Sequence, residues 1–247
     1  MLAEERFSRI LSIIEEAGSV TVQDLMEELG ASESTIRRDL NTMDANGLLV
    51  KVFGGAVAKN TNIRTQDENV DNRKLQNIEE KVAIAKYAAS LIQSGDFVYI
   101  DAGTSTELVI DYIKVANVTF VTNSLTHAKK LSDKGYTVYI LGGEFKSTTE
   151  AIVGEEAVET LDKYNFTKGF WGTNGVNITK GFTTPEVKEA MVKKKSMENC
   201  KERYVLADSS KFSQISSVKF SEFENATIIT TELRNASYKK YKNIKEV

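Results

Sequence analysis

Between residues 4 and 43 the apolar positions fall three and four apart, the spacing of one helical face. Phe7, Ile10, Leu11 and Ile14 form one stripe, Val22, Leu25, Met26 and Leu29 a second, and Ile36, Leu40 and Met43 a third. Punctuation agrees with the periodicity. Gly18 stops the first helix, predicted over residues 4–17; Thr21, with Asp24 three residues on, caps the second in a near capping box, and Gly30 supplies its left-handed end. Ser32 caps the third, Glu33 sits in the positive end of its dipole, and Asn46-Gly47 stops it. Only Ala31 and Ser32 separate the second helix from the third, so the pair reads as a helix-turn-helix. The β-type run Leu48–Phe53, the turn Gly54-Gly55 and the short run Ala56-Val57 add a hairpin, making a winged helix over residues 1–58.

Residues 59–78 are polar and lack periodicity, which predicts a linker. From residue 79 to 247 helical stretches alternate with hydrophobic runs. Val82, Ala85, Ala89 and Ile92 mark a helix, and Phe97–Ile100 a strand; further strands are expected at Thr119–Val121, Val138–Leu141, Gly169–Gly172, Tyr204–Ala207 and Thr227–Ile229. Such alternation predicts a doubly wound, mainly parallel α/β domain with helices on both faces of the sheet.

Composition narrows the class. Of 247 residues, 41% are hydrophobic and 27% charged, as in a globular protein with a proper core. No apolar run approaches the roughly 18 residues of a membrane span, and the N-terminus lacks a basic region followed by a hydrophobic one, so a cytoplasmic location is expected. One cysteine, Cys200, and one histidine, His127, leave no recognisable metal site, and both read as packing residues.

Charge complicates the winged helix. Residues 1–58 hold ten acids against five bases, on a chain of net charge -3. Seven of the acids precede Gly30, however, while Arg37, Arg38 and Lys51 lie in or after the third helix. Attraction to phosphate follows the local face more than the total. About 100° per residue from Ile36, Ser34, Arg38 and Asn41 fall opposite the apolar stripe, with Thr35 and Arg37 on its flanks. Donors and acceptors on that face suit base edges in a major groove, although an ordinary amphipathic surface helix carries the same pattern. The DNA-contact set expected is Ser32, Ser34, Thr35, Arg37, Arg38 and Asn41, with Lys51, Gly54 and Gly55 from the wing.

In a doubly wound sheet, ligands bind beyond the carboxyl ends of the strands. Those loops read Asp101-Ala102-Gly103-Thr104-Ser105-Thr106, Thr122-Asn123-Ser124, Gly142-Gly143-Glu144, Gly172-Thr173-Asn174-Gly175 and Asp208-Ser209-Ser210-Lys211. Each alone is compatible with a capped turn. Together they predict a site for a small anionic polyol, with hydroxyls and amides for sugar hydroxyls and helix termini with Lys211 for phosphate. There is no Walker loop, and the glycines of 169–175 have the wrong spacing for a dinucleotide fingerprint, so no nucleotide cofactor is expected.

Residues 6–57 resemble the DNA-binding domain of the DeoR family of bacterial regulators. Arg6, Ile10, Ile14 and the block Ser32-Glu33-Ser34-Thr35-Ile36-Arg37-Arg38-Asp39-Leu40 carry the likeness. One departure is Phe53-Gly54-Gly55-Ala56, where the family's wing usually begins with histidine. Residues 79–230 resemble the DeoR sensor domain through the strand-end loops already named, Gly181–Pro185, and Glu189-Ala190 with Lys193; Met191 stands where many relatives carry a second glutamate. The resemblance implies a fold shared with sugar-phosphate isomerases, a phosphosugar effector and a homo-oligomer binding operator DNA. Within the family the run is most similar to Gram-positive fructose operon repressors, which implies fructose 1-phosphate. The implied effector set is Asp101, Gly103, Thr104, Ser105, Thr106, Thr122, Asn123, Ser124, Gly142, Gly143, Gly172, Asn174, Gly175, Glu189, Lys193, Asp208 and Lys211.

A different class competes. Asp101, Glu189, Lys193 and Lys211 could supply acid–base groups to a sugar-phosphate isomerase, and Glu189 and Lys193, beside Lys194 and Lys195, could equally be a solvated helix face. The complete N-terminal reader, for which an isomerase has no use, favours a regulator without catalysis.

Overall fold

A computed structural model describes residues 2–58, 63–233 and 236–247. It divides into two compact units, Met1–Asn62 and Ile63–Val247.

The first unit is a winged helix. Helices α1 (Ala3–Ala17), α2 (Val22–Leu29) and α3 (Glu33–Ala45) enclose Ile10, Ile14, Leu25, Ile36, Leu40 and Met43, the residues of the sequence stripes. Thr21 and Asp24 close a reciprocal capping box at 3.0 and 3.3 Å, and Gly30 takes φ 59°. Strands β1 (Ser19–Thr21), β2 (Leu49–Val52) and β3 (Gly55–Ala58) form an antiparallel sheet in the order β1-β3-β2. β1 is three residues long, too short for its alternation to show in the sequence. A partly buried ion pair was equally illegible. Arg6 forks onto Asp39, Nε to Oδ2 at 2.7 Å and Nη2 to Oδ1 at 3.0 Å, fastening α1 to α3. Asp39 is thus committed to the interior, where an unpaired carboxylate would be costly.

The second unit contains α4 (Val70–Leu75), α5 (Ile78–Ser90), β4 (Phe97–Ile100), α6 (Thr104–Tyr112), β5 (Thr119–Thr122), α7 (Leu125–Asp133), β6 (Thr137–Ile140), β7 (Glu144–Lys146), β8 (Ala151–Val153) and α8 (Glu155–Leu161). It continues with β9 (Phe166–Gly172), β10 (Gly175–Asn177), β11 (Gly181–Thr184), α9 (Val187–Glu198), β12 (Cys200–Leu206), β13 (Val218–Ser221), β14 (Thr227–Thr230), α10 (Ala236–Lys239) and β15 (Ile244–Glu246). Seven strands pair in parallel in the order β15-β14-β12-β9-β4-β5-β6. Alternate residues serve opposite faces. Val98, Ile100, Phe120, Phe170 and Leu206 pack with α5 and α6, whereas Tyr99, Val121, Trp171 and Val205 pack with α8 and α9. The chain builds outward from β4 in one direction and from β9 in the other, so the order reverses between those two strands, where such sheets open a crevice.

All six strands expected from the sequence are present in this sheet. The antiparallel pair β7–β8, the antiparallel sheet β10-β11-β13 and the edge strand β15 were not foreseen, since strands of three or four residues carry little periodicity. The expected linker of 59–78 is also revised. Its residues 59–62 lie outside the described ones, and from Ile63 onward the segment belongs to the second unit: Arg64 bridges Ser216, Val70 is buried, and residues 70–75 form α4. A polar composition hid contacts made through charges and backbone.

Candidate functional site

On α3, Ser34, Arg37, Arg38 and Asn41 are exposed, and Thr35 is half-buried. Ser32 caps the helix, accepting from the Thr35 N–H at 3.4 Å. Arg37 is held by Glu33 at 2.7 Å, whereas Arg38 and Asn41 make no side-chain bond among the described residues. That leaves Arg38 and Asn41 as the groups whose donors and acceptors are free for another partner. In the wing, Lys51 is exposed, and Phe53 stands fully exposed at the hairpin tip. Gly54 takes φ 82°, and its carbonyl accepts from the Val22 N–H at 2.8 Å. Gly55 is placed differently from its expected DNA-contact role. It is buried against β1, where a Cβ would come within 2.0 Å of the Val20 carbonyl oxygen, so glycine is needed there for close strand packing.

At the crevice between β4 and β9 lies a cleft enclosing about 490 Å³, part of it open to solvent. Gly103, Thr104 and Ser105 bring the first turn of α6 to one wall; Gly172 ends β9 and Asn174 follows it; Glu189 and Lys193 project from α9; Asp208 and Lys211 follow β12. These nine expected effector residues line one cavity although they span more than a hundred positions in sequence. Glu189 and Lys193 are 4% and 2% exposed, which rules out the solvated helix face. Asp101 lies beneath them, wholly buried. It accepts hydrogen bonds from Lys193 Nζ and, at 3.1 Å, from the Gly172 N–H, while Lys193 also donates to the Gly172 carbonyl at 3.2 Å and approaches Glu189 at 3.7 Å. Burial pushes the Asp101 carboxyl up to about 6, partly offset by Lys193.

The remaining expected effector residues support this arrangement from outside the lining. Thr106 Oγ1 donates to the Asp101 carbonyl at 2.6 Å, and Asn123 Oδ1 accepts from the Ala102 N–H at 2.8 Å. Thr122 and Ser124 cap the start of α7, accepting from the N–H groups of Ser124 and His127 at 3.1 and 3.3 Å. Gly142 and Gly143 are exposed in the approach to β7; a Cβ on Gly143 would come within 2.8 Å of the Val153 carbonyl. Gly175 is buried beside Gln214, whose carbonyl would lie 2.4 Å from a Cβ. Small and polar types at strand ends thus had two sources, ligand contact and loop construction, which the sequence does not separate.

Two cations of the cleft came from segments without any strand-end signature. Arg73 belongs to α4 and Lys81 to α5, and both join Lys211 in the lining. Lys81 is 3% exposed, its ammonium donating to the Arg73 carbonyl. Burial lowers the affinity of Lys81 for its proton, Asp208 opposes this, and Lys211 and Arg73 add to it. Lys211 is lowered in the same way, by burial and then, against the pull of Asp208, by Arg64 and Arg73. Arg64, Arg73, Lys81 and Lys211 therefore face two carboxylates, Asp208 and Glu68, a local surplus of two positive charges that an anion would relieve. Asp208 is itself positioned by Asn77, whose Nδ2 donates to it at 2.9 Å.

A winged helix with a free polar face, joined in one chain to a doubly wound α/β unit, defines a two-domain DNA-binding regulator. Comparison with known proteins gives the family. Residues 6–62 match the DeoR-like helix-turn-helix domain and residues 76–232 the DeoR C terminal sensor domain. The chain belongs to the DeoR family of transcriptional regulators. It is 43% identical to the uncharacterized HTH-type transcriptional regulator FruR of Bacillus subtilis (strain 168), over 98% of this chain and 96% of that protein. It is 32% identical to the lactose phosphotransferase system repressor of Streptococcus mutans (serotype c, strain ATCC 700610 / UA159), over 95% and 94%. Among solved structures, ribose 5-phosphate isomerase A of Methanocaldococcus jannaschii matches 56% of this chain and 55% of its own, with TM-score 0.41 and 19% identity. Among the described residues, no helix is long and apolar enough to cross a membrane.

Proposed function

We propose that the protein is a homo-oligomeric repressor of a sugar-utilisation operon, released from its operator by a phosphorylated sugar, with fructose 1-phosphate the leading candidate. The observation that carries this reading is the charge arrangement of the cleft. Arg73, Lys81 and Lys211 gather at one side with a surplus that matches a phosphate dianion, and Lys193, Glu189 and Asn174 present donors and acceptors for hydroxyls beside them, above the buried Asp101. The first turn of α6 adds the positive end of a helix dipole. The choice of fructose 1-phosphate is supported by the likeness to FruR, and phosphosugar control by the likeness to lactose phosphotransferase repressors. Arg38 and Asn41 read bases, Lys51 meets phosphate, and two copies of the small reader bind paired half-sites.

The chain is not an isomerase in this reading. Its buried carboxylates are held in ion pairs, Asp101 through Oδ2 with Lys193 and the Gly172 N–H and Glu189 with Lys146 and Lys193, which suits Glu189 to orient hydroxyls and Asp101 to position Lys193. The deciding experiment is operator binding titrated against a panel of phosphorylated hexoses. Fructose 1-phosphate should weaken binding, and Lys81→Ala or Lys211→Ala should abolish the response. A flat response to every sugar removes the sensor claim, and measurable turnover in a proton-exchange assay removes the non-enzymatic one.

A further inference from the structure

The second unit begins with a segment bound to the cleft it leads into. Arg64 donates its N–H to the Ile215 carbonyl at 3.0 Å and accepts from the Ser217 N–H at 3.1 Å. Three residues on, Asp67 has a side chain only 5% exposed; it accepts from Lys146 Nζ and, at 3.3 Å, from Asn174 Nδ2. Lys146 also donates to Glu189 at 3.1 Å, and Glu189 leads through Lys193 to Asp101. A row of alternating charges therefore runs from Asp67 to the floor of the cleft. Both side chains next to Asp67 in this network, Asn174 directly and Glu189 through Lys146, line the cleft. The segment then re-enters the cleft as Arg73, whose Nε is buried without a hydrogen-bond partner.

We propose that Ile63–Arg73 is a strap that carries cleft occupancy to the reading head, and that Asp67 is the positioning residue coupling the two. The proposal rests on the phosphosugar reading of the cleft. A sugar hydroxyl bound by Asn174 or Glu189 competes for the groups that hold Asp67, while a phosphate draws on Arg73 of the same strap. Both contacts differ between the empty and the filled strap, and only such a difference can shift an equilibrium. Ala58 and Ile63 are separated in sequence by residues 59–62, a chain length of at most roughly 18 Å, so release of Ile63 changes where a reading head can reach on fixed half-sites. Loss of the Asp67 latch should therefore mimic the sugar.

The test measures affinity of the full-length protein for its operator, selected from random duplexes, with and without fructose 1-phosphate. In Asp67→Asn without sugar, affinity should fall at least fivefold toward the sugar-bound wild-type value, and the ratio between the two conditions should shrink toward one; Asp67→Glu, which keeps the charge, should restore both. Hydrogen exchange on the wild-type protein gives a readout without a variant: amides of residues 63–70 should exchange faster when fructose 1-phosphate is bound. A folded Asp67→Asn protein with wild-type affinity in both conditions overturns the strap, as does unchanged exchange in 63–70 under a sugar that weakens operator binding. If fructose 1-phosphate leaves the wild type unaffected while Asp67→Asn is weakened, the strap stands and the sugar assignment falls.

Discussion

The two units bury different things. The reading head closes over an aliphatic core and one partly buried ion pair, Arg6–Asp39, and leaves Arg38, Asn41 and Lys51 in solvent. The sensor unit keeps Asp101, Lys81, Glu189 and Lys193 each at or below 4% exposure. A surface reader needs only a rigid scaffold beneath ordinary polar side chains, because its ligand brings charge to it from outside. An interior site must desolvate its own charges, so each has to be compensated by a neighbour or, on the proposed reading, by the ligand. Stability and function are therefore separable in the head and entangled in the sensor.

The sharpest way to break that contrast is at the Lys193–Asp101 pair. Lys193→Met leaves a buried carboxylate without its ion partner and should cost about 3–5 kcal/mol. Hydrogen exchange should show the loss in the central strands while α1–α3 stay protected; equal loss in both units would refute the separation. In the head, Arg6→Ala should destabilise the unit by orphaning Asp39, seen as weaker operator binding with unchanged sugar binding by calorimetry. Arg38→Ala should leave the fold intact and remove about 1–3 kcal/mol of base discrimination. Unchanged preference among operator variants would show that the exposed face of α3 does not read bases.

A pH measurement separates the units more gently. His127 is buried, its Nδ1 without a hydrogen-bond partner, and burial pushes it down to about 3 from an ordinary value of 6.5, the nearby Gly103 backbone opposing the shift. The unfolded chain takes up this proton first, so the stability present above pH 6.5 is lost as pH falls toward 3. Between pH 6.5 and 5.5 the loss should be about 1 kcal/mol. Asp101 works in the opposite sense, since a carboxyl raised to about 6 favours the folded state as pH falls toward 3.8. Chemical unfolding of His127→Gln beside wild type isolates the first effect, and identical pH slopes would contradict it. Smallest of all, Lys51→Ala should weaken every DNA alike by less than about 1 kcal/mol and reduce the salt slope by about one phosphate contact.

Legibility followed the same division. Ile36, Leu40 and Met43 announced α3 because helix geometry repeats locally, and the residues opposite them were the ones found exposed. In the sensor, the loops after β4, β9 and β12 were found at strand ends and do meet at the crevice. Loop chemistry overreached at Thr122, Asn123 and Ser124, whose hydrogen bonds serve the backbone. It fell short at Arg73 and Lys81, which no local pattern distinguishes from surface cations on a polar stretch and a helix.

The sequence by itself therefore determined what repeats over a few residues: the helices, their caps, the hydrophobic strands, the winged-helix order and the family to which they belong. Tertiary structure alone decided which charges share a cavity. It brought Arg73 and Lys81 to Lys211, set Asp67 against Lys146 and Asn174, and turned Glu189 and Lys193 inward. The physical reason is range. Periodicity and capping act within a turn or two of the chain, whereas the pairing of buried charges is settled by strand order, which joins residues far apart in sequence and leaves no local trace.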